Sequence, residues 1–233
     1  MPKDIFMDGT ISHKDEKARE LIQKAIKDGI TNKNKKAVSD MIADPRLVPT
    51  SDQIAECLSS QYEVIRAAIV RNPNVRLQPS QVEDLLCDPS LSVRCCTIAN
   101  KNVALTPEQV ERCLSDENPF VRMGIAGRSD IDLTLDQKNR LLFDSDSDVR
   151  AVAVHALNEA TPEQIDKMMH DPDARVRKEA LRLVKNPTLE QIKQWINDPD
   201  AKVVEALFDL IKKVHPDDIE GLHSDSEYSM LSH

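Results

Sequence analysis

TPEQIDKMMHDPDARVRKEALRLVKNP, residues 161–187, carries the pattern on which the fold turns. It opens with Thr161-Pro162-Glu163-Gln164, a helix-start signal. The Thr hydroxyl can accept from the amide three residues on, and the Gln side chain can return to the cap amide. Pro suits the first helical position, whose N–H has no intrahelical partner. Ile165, Met168 and Met169 follow four, seven and eight residues after the cap, on one helical face. Asp171 stops this helix, Pro172 turns the chain, and Asp173 is placed to cap a second helix that buries Val176 and Ala180.

The same unit recurs in both directions. Ile65-Arg66, Val93-Arg94, Val121-Arg122, Val149-Arg150, Val176-Arg177 and Val203-Val204 are separated by steps of 28, 28, 28, 27 and 27 residues. A helix start precedes each: Thr50 with Gln53, Gln78 with Gln81, Thr106 with Gln109, Thr134 with Gln137, Thr161 with Gln164, and Thr188 with Gln191. Gln78 is a poor cap residue, so the second unit is expected to start less firmly. Neither helix of a unit is long enough to be stable alone in water. Each gains stability by burying its apolar face on neighbouring units. The expected fold is all-α, a right-handed α-solenoid of about six two-helix repeats. The expected repeats are 50–77, 78–105, 106–133, 134–160, 161–187 and 188–214, after a helical amino-terminal cap over 1–49.

Composition agrees. Hydrophobic residues make up 40% of the 233 but aromatic ones only 3%. Such a core must be built from aliphatic side chains in thin layers, which suits stacked helices. The net charge of −9 argues against general affinity for nucleic acid, which needs a basic surface. Residues 1–30 are charged throughout and no stretch approaches eighteen apolar residues, so a cytoplasmic protein without a membrane span is expected. Cys57, Cys87, Cys95, Cys96 and Cys113 show no CxxC spacing, and four of them fall on apolar helix positions, so buried, reduced thiols are expected.

Asp171-Pro-Asp-Ala-Arg-Val-Arg-Lys-Glu-Ala-Leu-Arg-Leu-Val184 resembles the second half of a HEAT repeat, and Asp144 to Leu157 is nearly as good a match. The first three units, whose second helix is expected to end at Asn72-Pro73, Asn100-Lys101 and Gly127-Arg128, look like the bacterial leucine-rich repeat variant. The resemblance covers residues 50–214. It implies a ladder in which Arg94, Arg122, Arg150 and Arg177 bond to an Asp of their own or a neighbouring unit, with Val204 breaking it. Ser60 stands where later repeats have Asp, so Arg66 is expected to be the weaker rung. Members of the variant family can carry an amino-terminal iron–sulphur domain, but no Cys precedes Cys57. HEAT-like hydroxylases bind iron through His-Glu pairs, and no His-Glu dipeptide occurs. No cofactor is therefore expected.

Residues 14–28 and about 34–43 read as amphipathic helices of the cap, and 215–233 as an acidic, disordered tail. The six His have no metal spacing, and no nucleophile motif or Gly-rich phosphate loop occurs. An interaction module or scaffold is the expected function, not an enzyme. A HEAT-like alkylpurine DNA glycosylase, a phycobilisome chromophore lyase and an acidic nucleic-acid mimic are the alternatives the motif permits. With one Trp, two Tyr and the acidic charge, the glycosylase finds little support in the sequence.

The resemblance places the second helices on the concave side. Their outward positions lie one before the Val, two after it and six after it, on one face. These are Val64, Ala67 and Arg71; Ser92, Cys95 and Ala99; Phe120, Met123 and Gly127; Asp148, Ala151 and His155; Arg175, Lys178 and Arg182; and Lys202, Glu205 and Asp209. Cys95, Phe120 and Met123 form an apolar stretch, and Arg175, Lys178 and Arg182 a basic one. The partner expected there is a protein or peptide with apolar and acidic character. The plainer reading of the basic stretch is a solvated face balanced by nearby Asp and Glu.

Overall fold

A computed structural model describes residues 35–214 and Glu20. Glu20 aside, the helix expected over 14–28 lies outside the described residues, as does the acidic tail over 215–233. Thirteen α-helices occur among the described residues: α1 Lys35–Ile42, α2 Ser51–Leu58, α3 Glu63–Arg71, α4 Pro79–Leu86, α5 Leu91–Ala99, α6 Pro107–Leu114, α7 Pro119–Ala126, α8 Leu135–Leu142, α9 Ser147–His155, α10 Pro162–Met169, α11 Ala174–Leu181, α12 Leu189–Trp195 and α13 Ala201–Val214.

Capping sets where the first helix of each repeat begins. Thr50, Thr106, Thr134, Thr161 and Thr188 all form the reciprocal box with the Gln three residues on. The cap amide donates to the Gln Oε1 at 2.9–3.0 Å in all five. At Gln78 the amide still donates to Gln81 Oε1, at 2.8 Å, so α4 keeps the Gln half of the box and starts in register. Apolar spacing then fixes what each helix buries. Val82, Leu85 and Leu86 of α4, Val110, Cys113 and Leu114 of α6, and Leu141 and Leu142 of α8 are all buried. The second helices bury their Val and the residue four on: Val93 with Thr97, Val121 with Ile125, Val149 with Ala153, Val176 with Ala180, and Val203 with Leu207.

The described residues divide into two compact units, one ending at Ile125 and the other beginning at Ala126. In the first, α3 packs on α1, α2 and α5, and α4 on α5 and α6. In the second, α9 packs on α8 and α11, α11 on α10 and α13, and α12 on α13. Each unit is thus a stack of helix pairs joined in sequence order, which is the solenoid plan.

Two details differ from the sequence reading. The HEAT-like second helices of repeats four and five are as short as the others, at 9 and 8 residues. After Leu181 the chain tightens into i→i−3 bonds, from Arg182, Leu183 and Val184 to Glu179, Ala180 and Leu181. Only α13 is longer, at 14 residues. The second detail is α1, read as part of a divergent cap. It packs on α3 as α3 packs on α5, and it buries Val38 and Ile42 at the same four-residue spacing as Ile65 and Ile69. By register α1 is the second helix of a further unit, with Ser39 at the position Arg66 holds in the next.

Candidate interaction face

The turns of the repeats are held by a charged ladder with a fixed direction. Each Arg gives Nη1 to a backbone carbonyl of its own repeat, and Arg66, Arg94, Arg150 and Arg177 give the other edge to the Asp of the next. Arg66 donates to Ser60 O at 2.7 Å and to both Asp88 oxygens at 2.6 and 2.8 Å. Arg94 does the same with Asp88 O and Asp116, Arg150 with Asp144 O and Asp171, and Arg177 with Asp171 O and Asp198. Arg122 donates to Asp116 O at 2.8 Å. Each Asp also accepts the amide two residues on, as Asp88 does from Ser90 and Asp171 from Asp173. Burial alone would push the Asp88 carboxyl up, but the Arg66 bonds, the Ser90 amide and the Arg94 charge together hold it below its usual range. Arg177 lowers Asp198 in the same way.

Arg66 is therefore a full rung, contrary to the expectation from Ser60. The own-repeat contact is to a main-chain carbonyl, which Ser60 supplies as well as Asp would. Ser60 Oγ also accepts the Tyr62 amide, at 3.2 Å, as the later Asp carboxylates accept theirs. What Ser60 lacks is the carboxylate for a two-bond rung with an Arg of the preceding unit, and Ser39 occupies the place such an Arg would hold.

A second set of side chains reaches back along the stack. Asn72 Nδ2 donates to the carbonyls of Ile42, Asp44 and Leu47, and Asn100 Nδ2 to that of Val70. In the second unit Arg182 Nη2 donates to the carbonyls of Val154, His155 and Leu157. All of these satisfy carbonyls at or near the ends of helices, which lack intrahelical partners.

These ties help to set the rotation of the second helices that carry them, and with it the outward face. In α7, Val121 and Ile125 point into the core. A Cβ on Gly124 would lie 3.0 Å from Ile98 Cγ2 of α5. Phe120 and Met123 lie off the Val121–Ile125 stripe. Phe120 is 55% exposed although its neighbour Val121 is 1% exposed. Its amide is held by Asn118 Oδ1 at 3.0 Å, so the ring is carried on a fixed first turn. Met123 is half-buried beside it. Cys95, at the equivalent position of α5, is also half-buried, and burial pushes its thiol up. One predicted outward residue is not on the face: Ala67 is buried in the same cluster as Val38, Ile42 and Leu47, because α1 packs on α3. Among the thiols, Cys57 and Cys113 are buried and pushed up to about 12, Cys96 is half-buried, and Cys87 is exposed.

The basic stretch follows the plainer reading, a basic face balanced by nearby Asp and Glu. Arg175 is exposed but bonds to Asp148 at 2.5 Å and to Asp173 at 2.8 Å. Arg182 is committed to the three carbonyls and lies 3.6 Å from Glu179, which also holds His155 at 3.1 Å. Lys185 pairs with Glu159 at 2.8 Å. Lys178 is exposed.

Large exposed apolar residues that the sequence reading missed are Val48, Leu135, Phe143 and Leu189. Leu135 and Leu189 occupy the first helical position, where α4, α6 and α10 have Pro. That position lies off the apolar face, which is a signal the sequence does contain. Phe143 carries Lys167 Nζ 5.0 Å above its ring. Among the described residues no group of three or more His, Cys, Asp or Glu is placed to hold a metal ion, and no helix is long and apolar enough to cross a membrane.

The short helix pairs, stacked in order and tied by Arg–Asp rungs between neighbouring repeats, define a helical-repeat solenoid. A solved structure described as a leucine-rich repeat variant with a novel repetitive structural motif has a similar fold. Its TM-score is 0.58 at 18% identity, over 92% of this chain and 79% of that one. No family model matches the sequence, and no curated protein does.

Proposed function

We propose that the chain is a protein-interaction module that acts by binding, not catalysis, and that it receives an apolar segment of a protein partner on the outward face of α5 and α7. The observation that carries this reading is Phe120: a large ring on a rigid helix turn, exposed, flanked by half-buried Met123 and Cys95. Folding gains little from an exposed ring, whereas a buried aromatic anchor can supply about 2 kcal/mol or more to an interface. The acidic part of the expected partner rests on less, since Arg175 and Arg182 are already engaged within the chain and Lys178 is the exposed cation that remains. The ladder residues have structural work that accounts for their charges, which supports a binding role over acid–base chemistry.

The test is affinity capture from extracts of the source cell, comparing the wild type with Phe120→Ser and with Phe120→Ser/Met123→Ser, each checked for native helix content. Loss of specific partners from both variants supports the reading. An unchanged set of captured proteins overturns it.

A further inference from the structure

We draw no further inference here: the strongest candidate, the apolar strip of Cys95, Phe120 and Met123 across α5 and α7, belongs to the site already described, and nothing in the structure shows what covers it.

Discussion

Replacing Arg66 or Arg150 with Ala removes the same kind of rung at different places in the stack. Arg150 loses two bonds to Asp171, at 2.7 and 2.8 Å, one to Asp144 O at 2.9 Å and a longer one to Ser145 O at 3.2 Å. Arg66 loses bonds of 2.6, 2.8 and 2.7 Å. Side-chain exposure is 11% and 9% for the Arg150–Asp171 pair and 14% and 8% for Arg66–Asp88. Bonds to charged groups contribute about 1.5–3 kcal/mol each at most, and breaking a buried pair costs about 3–5 kcal/mol. Each stranded carboxylate keeps its amide two residues on and lies at a turn that water can reach. The expected loss is therefore about 2–3 kcal/mol for either variant. With a urea dependence of about 2 kcal/mol per molar, the midpoint should fall by about 1–1.5 M. Urea titration followed by helical circular dichroism measures this. A loss for Arg66→Ala less than half that for Arg150→Ala would refute the reasoning. It would mean that the Asp of the same repeat, absent at Ser60, is what gives the rung its strength.

Other consequences follow from the same geometry. Asp88 and Asp198 have folded-state pKa values below their unfolded ones, so their stabilisation is present above the unfolded value near 3.8 and is lost as pH falls through the lowered folded value; acid titration of Arg66→Ala should lose less stability over that window than the wild type, and equal slopes would contradict it. Gly124→Ala should destabilise by about 1 kcal/mol although Ala favours a helix, because Ile98, β-branched and buried within α5, is held to one χ1 and its Cγ2 has little room to swing aside; a raised melting temperature would show that the helices separate freely. Arg182→Ala should cost about 1 kcal/mol through the carbonyls it leaves, while Lys178→Glu should leave the urea midpoint unchanged and alter only the salt dependence of partner binding. Phe120→Ser should shift the melting temperature by no more than a few degrees, and a large drop would place the ring in the core.

The repeat was legible because its signals are local. A Thr-x-x-Gln box, apolar residues at fixed offsets and a Val-Arg pair each specify one turn of backbone, and six agreeing registers leave little freedom. The partner of each Arg was less legible. From the chain alone, the Asp six residues before it looks equivalent to the Asp about 22 residues after it, and only the stacking of one unit on the next separates them. Ala67 misled for a similar reason: its position in α3 is outward by periodicity, but α1 continues the stack with Val38 and Ile42 in register. The register of α1 could have been found by extending the Val-plus-four spacing one more unit toward the amino terminus. That the basic stretch would be balanced by nearby carboxylates was legible, but not which ones: Asp148, which pairs with Arg175, lies on α9, and Glu179, beside Arg182 at the end of α11, lies on the flank of α11.

The distribution of bonds also explains why a binding face can exist on so small a core. Two sets of long polar ties lie near the ends of the second helices: the Arg–Asp rungs at their starts, and Asn72, Asn100 and Arg182 at their finishes. The inward stripe is fixed by two apolar residues per helix. In α7 the outward Phe120 and Met123 belong to no rung and no cap and are not buried, so a residue there can change without loss of either. Phe120 and Met123 sit on that unconstrained ground beside Val121, which does not. A stack organised in this way keeps its stability in the turns and core, leaving the exposed side chains between them open to selection for a partner.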